Sequence, residues 1–268
     1  MHTFSVCMLV VSACIASACS SDTPLNPSFP LTSGEAKAAI KQMHHDRKPL
    51  ARPVIVLGGI HDPGLAPSHI ADVIRDSVPD ADRPRVYDIA FLETWSFDSC
   101  ADKLIRKLEA RFPSENSHES TEVDVVAFSM GGVVARHAAS DNYASRHGRR
   151  LRIARLFTIS SPHQGAKLAS LPTFDERAKD MRPDSPFLTA LNADAGGTAY
   201  PLFAYVRLED TVVGEEFAAP PGMRAWWVGR GLTFSHTLAA HDERILADIL
   251  RRLRYEEPYS TDPAAPLP

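Results

Sequence analysis

Thr121–Ala135 reads T-E-V-D-V-V-A-F-S-M-G-G-V-V-A, and it decides the fold. Val123, Val125, Val126, Ala127 and Phe128 first alternate and then run apolar, the pattern of a buried strand. Gly131 to Ala139 reads as the start of a helix, so Ser129 stands at the corner between them. So abrupt a turn forces its corner residue into a strained backbone conformation and requires small neighbours, here Ala127 and Gly131. The corner lifts the serine oxygen above a sheet, and the backbone N–H of Met130 points at the same space. A nucleophile needs that exposure, and a tetrahedral oxyanion needs that donor. An ordinary strand–helix turn carrying a serine fits the same residues, so the flanking chain has to decide.

Working outward, strands alternate with helices. Pro53–Leu57 holds the apolar run V-I-V-L, a strand buried on both faces. Arg85–Phe91, Ile153–Ile159, Pro201–Arg207 and Arg224–Val228 are further strands. Helices are expected over Gly34–Arg47 with Ser33 as cap, Ser68–Ser77, Asp98–Phe112 with Asp98 as cap, and around Ile245–Leu253. Such alternation implies right-handed βαβ units, a mostly parallel sheet and helices on both faces. Ligands of such sheets sit beyond the carboxyl ends of the strands.

Each of those ends offers chemistry. Gly58-Gly59-Ile60 follows the first strand, and the glycine pair lets the backbone present the Ile60 N–H toward the serine. Ser160-Ser161-Pro162-His163 follows the fourth, Glu209-Asp210-Thr211 the fifth and Ser235-His236 the sixth. A serine hydroxyl needs a base, and the base needs a carboxylate to fix its tautomer. Ser129, Asp210 and His236 stand in the nucleophile–acid–base chain order of the α/β-hydrolase fold. Glu209, Asp184 and Asp194 compete for the acid; His241 and His163 compete for the base. No Cys/His cluster has metal-ligand spacing, and no phosphate-cradling glycine loop is present.

V-I-V-L-G-G-I, V-D-V-V-A-F-S-M-G-G, F-T-I-S-S-P-H-Q-G-A, D-T-V-V and S-H-T-L together resemble the α/β-hydrolase lipases and esterases of bacteria, from about Arg52 to Leu253. Met181–Asn192 is similar to a segment these lipases carry before the acid. Two departures stand out: Ala127 replaces the usual first glycine of G-x-S-x-G, and Leu57-Gly58 stands where His-Gly is common. The resemblance implies a serine hydrolase cleaving carboxylic esters of lipids or other acyl esters, with Ser129, Asp210 and His236 catalytic, Ile60 and Met130 at the oxyanion, and no cofactor. Acyl transfer, amide hydrolysis or a catalytically dead lipid-binding envelope protein are the alternatives. The segment 165–199 is long for a connection and reads as a small helical cap, with Trp95 and Phe97 expected in the same pocket.

The termini read differently. Val6–Ala18 is apolar and small, too short for a stable bilayer span, and ends at Cys19. It resembles a lipoprotein signal over residues 1–19, with Cys19 (alternatively Cys14) as the lipidated residue, although Met1-His2-Thr3 lacks the usual basic residue. Export to the cell envelope on an N-terminal membrane anchor is expected, with a periplasmic or secreted protein as the alternative. Residues 20–32 read as a tether, 33–257 as the hydrolase domain and 258–268 as a disordered proline-rich tail. Only Cys100 lies beyond the leader, on a helix and expected buried. A net charge of −4 gives no reason to expect nucleic acid as a partner. The basic run Arg146, Arg149, Arg150, Arg152 has a bland reading, cations near a helix end, and a weaker one, a grip on anionic lipid.

Overall fold

A computed structural model of the chain describes residues 24–194, 196, 199–230 and 235–268. The expected leader, with Cys14 and Cys19, lies outside the described residues. In chain order the principal elements are α1 (Ser33–His45), β1 (Val54–Leu57), α2 (Leu65–Asp76), β2 (Val86–Ile89), α3 (Phe97–Arg111), β3 (Val123–Phe128), α4 (Met130–Ala139), α5 (Asp141–His147), β4 (Ile153–Ile159), α6 (Glu176–Asp180), α7 (Pro186–Ala193), β5 (Leu202–Arg207), β6 (Trp226–Val228), α8 (Ser235–Ala239) and α9 (Glu243–Leu253).

The described strands form one sheet in the order β2-β1-β3-β4-β5-β6, and every pairing between neighbours is parallel. Strand alternation sorts the core. On β1, Ile55 and Leu57 join the cluster with α3 and α4, while Val54 and Val56 join the cluster with α1, α2 and α9. On β3, Val125 and Ala127 go to the first cluster and Val126 and Phe128 to the second. Both strands are buried along their whole length, which explains their near-continuous apolar sequence. Each such Val, Leu or Ile contributes about 1.5–3 kcal/mol by leaving water. The chain leaves β1 for the edge strand β2 and returns to β3 on the other side, so the order reverses between β1 and β3. The crevice beyond their carboxyl ends is where a site belongs.

Several local expectations shift. The cap of α1 is Thr32, not Ser33: Thr32 and Glu35 form a reciprocal capping box. Ser96 caps α3 in place of Asp98, and Cys100 is buried on that helix. The 20–32 tether and the 258–268 tail need correction where they are described. Asn26 Nδ2 donates to Trp227 O at 2.7 Å, and Phe29 is buried. Trp226 and Trp227 donate their indole N–H groups to Thr261 O and Pro266 O, at 3.0 and 2.8 Å. The Thr261 N–H donates to Ser28 O at 2.8 Å. The two terminal segments therefore hold each other along the edge strand β6, where open backbone groups would otherwise face solvent.

Within 165–199, Leu188 and Leu191 of α7 sink into the core beside α3 and α4. Leu168, Leu171 and Phe174 of the same segment are exposed. Among the described residues no helix is long and apolar enough to cross a membrane.

Candidate active site

Ser129 adopts φ 53° and ψ −128°, a conformation that costs a non-glycine residue about 1–3 kcal/mol. The corner is held because the Ser129 N–H donates to Ile159 O of β4 at 2.9 Å. The crowding that demands small residues comes from a different side than the sequence implied. A Cβ on Gly131 would lie 2.8 Å from Gly58 O and 2.9 Å from Leu57 Cβ, so β1 sets the limit rather than Ala127. Gly132 is equally constrained: a Cβ there would meet Ser161 Oγ at 2.4 Å.

His236, on α8, closes on the serine. Its Nε2 lies 2.9 Å from Ser129 Oγ and its Nδ1 2.8 Å from Asp210 Oδ2. Asp210 is 1% exposed, and its Oδ1 accepts the N–H groups of Val212 and Val213, each at 3.0 Å. Burial pushes the Asp210 carboxyl up, but the His236 hydrogen bond, the imidazole charge and the Val213 N–H together outweigh it, and the net shift is downward. The carboxylate is thus kept ionised in a dry place, where it orients the imidazole.

The rivals go elsewhere. Glu209, at φ 61°, points out to an ion pair with Arg230 at 2.5 Å. Asp194 accepts the Asp141 and Asn142 N–H groups at the start of α5, and Asp184 is exposed. His163 is fully buried, with Nε2 3.1 Å from Thr158 Oγ1, and burial first, then Arg136, depresses its basicity well below the usual range. His241 packs against His69, ring centroids 4.1 Å apart with the rings tilted by 32°.

A cavity of about 380 Å³ opens at the serine, with Ile60, Pro63, Leu65, Ala66, Phe128 and Val212 as its apolar wall and His236 and His241 beside them. Trp95 and Phe97 do not line it: Trp95 is exposed and Phe97 is buried against Phe187 at 4.3 Å. The described residues of 165–199 contribute none of its lining. Gly59 lies under the serine, since a Cβ there would sit 3.0 Å from Ser129 Cβ. This brings the Gly59–Ile60 peptide to the nucleophile, while Met130 opens α4 with the positive end of that helix beneath it. Asp62 accepts the N–H groups of Gly64, Leu65 and Ala66 and fixes the far end of the same loop. The Asp-Pro-Gly that follows Ile60 and His61 is the local signal for that turn.

The basic run is spent on carboxylates: Arg146 on Asp98, Arg149 on Glu109, Arg150 on Glu119 and Asp141, Arg152 on Glu122. Among the described residues no group of three His, Cys, Asp or Glu is placed to hold a metal ion.

Comparison with known proteins bears on the fold. Residues 95–176 match a family model described as a domain of unknown function (DUF7379). No curated protein sequence matches the chain. Among solved structures, the chain is similar to the phospholipase PlaB of Legionella pneumophila in complex with thio-NAD, at 14% identity and a TM-score of 0.52, over 76% of this chain and 59% of that one. It is also similar to the Bacillus licheniformis lipase BlEst2 in propeptide form, at 13% identity and a TM-score of 0.55, over 82% of this chain and 55% of that one. The chain thus spans less than two thirds of either protein. With the sheet order and the strand–serine–helix corner, these likenesses define the fold as that of the α/β-hydrolases.

Proposed function

We propose that this chain is a serine hydrolase of carboxylic esters. One observation carries the proposal: a single imidazole, His236, bridges a strained serine at 2.9 Å and a buried aspartate at 2.8 Å. Ser129 Oγ attacks the ester carbonyl while His236 Nε2 takes its proton. The carbonyl oxygen, now negative, faces the backbone N–H groups of Met130 and Ile60. Collapse expels the alcohol, which leaves with the proton from His236. Water then repeats the sequence on the acyl-enzyme, releasing the acid and restoring the serine. Asp210 holds the tautomer and stabilises the imidazolium throughout. No cofactor enters these steps.

The substrate follows from the cavity. Its apolar wall suits an acyl chain, and a volume of about 380 Å³ is at the small end of ligand sites, so short and medium acyl groups fit best. The names of the two similar structures, a phospholipase and a lipase, agree with a lipid or acyl ester. A panel of nitrophenyl esters of rising chain length tests this: kcat/KM should be highest for short and medium acyl groups and fall for long ones. Turnover of anilides but not esters would move the chain to the amidases; transfer to an added alcohol in preference to water would make it an acyltransferase. We further propose that the mature protein begins at Cys19 and is held at a membrane by a lipid there. Intact-mass analysis of membrane-extracted protein should show the lipid and the loss of residues 1–18; an unlipidated start elsewhere contradicts it.

A further inference from the structure

The loop that carries Ile60 is braced from a second element outside the triad. His61 follows Ile60 at φ 57°, and its Nε2 lies 3.3 Å from Asp175 Oδ2. Asp175 is not free to move. Arg177 grips it with two parallel bonds, Nε to Oδ1 at 3.0 Å and Nη2 to Oδ2 at 2.7 Å, and Asp175 also caps α6 through the Arg177 N–H. Arg177 is 1% exposed. Its Nη1 donates to Phe91 O at 3.0 Å and Thr94 Oγ1 at 3.2 Å, just beyond the end of β2. A continuous chain of contacts therefore runs from the end of the sheet through Arg177, Asp175 and His61 to the peptide under Ser129. A bidentate guanidinium–carboxylate pair suits this task, because it fixes direction as well as distance.

We propose that Asp175 and Arg177 are positioning residues for the oxyanion site, acting through His61 to aim the Ile60 N–H at the reacting carbonyl. Neither touches substrate. Their effect belongs to the transition state, where the oxygen carries charge, and not to ground-state binding of the acyl chain. This rests on the ester-hydrolase reading of the site, and it makes α6 part of the catalytic geometry although α6 lines none of the cavity.

His61 is the residue to vary, since its side chain is 71% exposed and its loss leaves no buried partner stranded. His61→Asn keeps a residue that tolerates positive φ but is too short to reach Asp175. It should lower kcat about 10- to 100-fold, the scale of a small misplacement of catalytic groups, with Tm near wild type and, although His61 borders the cavity, a change in KM far smaller than that in kcat. A trifluoromethyl ketone, whose hemiketal oxygen occupies the oxyanion site, should weaken in step with kcat/KM. His61→Gln, long enough to bring a polar N–H back toward Asp175, should recover much of the loss. Asp175→Ala should reproduce the kcat defect, with a lower Tm because Arg177 is left buried without its partner. If wild type turns over ester and His61→Asn keeps its kcat, or loses it through KM alone, the inference is overturned and the hydrolase reading stands. If wild type neither turns over ester nor binds the ketone, both fall.

Discussion

Two aspartates in this molecule are buried to the same degree and do opposite things. Asp210 lies at the carboxyl end of the sheet; Asp248 lies on α9, against the opposite layer. Asp248 accepts the Tyr205 hydroxyl at 2.7 Å, Arg252 Nε at 3.0 Å, and the Ser260 N–H and hydroxyl at 2.8 and 2.7 Å. All its partners end inside the fold, and they staple the C-terminal tail to α9 and β5. Asp210 has two backbone donors and one imidazole, and the imidazole leads out to a serine in a cavity. On the proposed function, a buried carboxylate is thus a structural hub or a piece of chemistry according to where its last partner points.

Substitutions should separate the two. The largest effect belongs to the serine that ends the Asp210 chain: Ser129→Ala should cost about 10⁶ in ester turnover, as loss of a triad serine does, with an unchanged thermal melt. Asp210→Asn should cost about 10⁴, because the amide favours the wrong tautomer of His236. Asp248→Ala should leave kcat alone and lower stability by about 3–5 kcal/mol, the penalty for breaking its pair with the half-buried Arg252 and unpairing the buried Tyr205 and Ser260 hydroxyls, read by urea unfolding. If Asp248→Ala lost turnover while staying folded, the division between the two aspartates would fail.

Acid sharpens the same contrast. Folding lowers the Asp210 carboxyl below its unfolded value of about 4. The stability this adds is present above that unfolded value and is lost as pH falls through the lowered folded one. Asp210→Asn should therefore lose less stability than wild type between about pH 5 and 2. Glu209→Gln, one residue away but ion-paired at the surface, should change turnover by less than about threefold, the scale of an exposed pair.

The sheet was legible because β1 and β3 carry runs of apolar residues that only a strand buried on both faces would need. The candidate triad was legible because Ser129, Asp210 and His236 each fall just past a strand, and chain order then selects among the rivals. Composition misled at the ends. Pro258–Pro268 is polar and proline-rich, but what docks it are its backbone carbonyls, which Trp226 and Trp227 find and no residue pattern records. The brace through Asp175 and Arg177 was hidden for a related reason: a charged pair at the start of a short helix reads as solvated until the fold places Phe91 O and Thr94 beside it. Ser96 outranks Asp98 as a cap because Asp98 is engaged by Arg146 and His137 instead.

The proposed chemistry requires Ser129 to be an activated nucleophile. Reaction of the wild-type chain with a fluorophosphonate, followed by peptide mass mapping, tests this most directly. The result expected is one adduct, on Ser129, that is absent in Ser129→Ala and forms far more slowly in Asp210→Asn. An unmodified Ser129 in folded wild-type protein, or an adduct that survives Ser129→Ala, would contradict it.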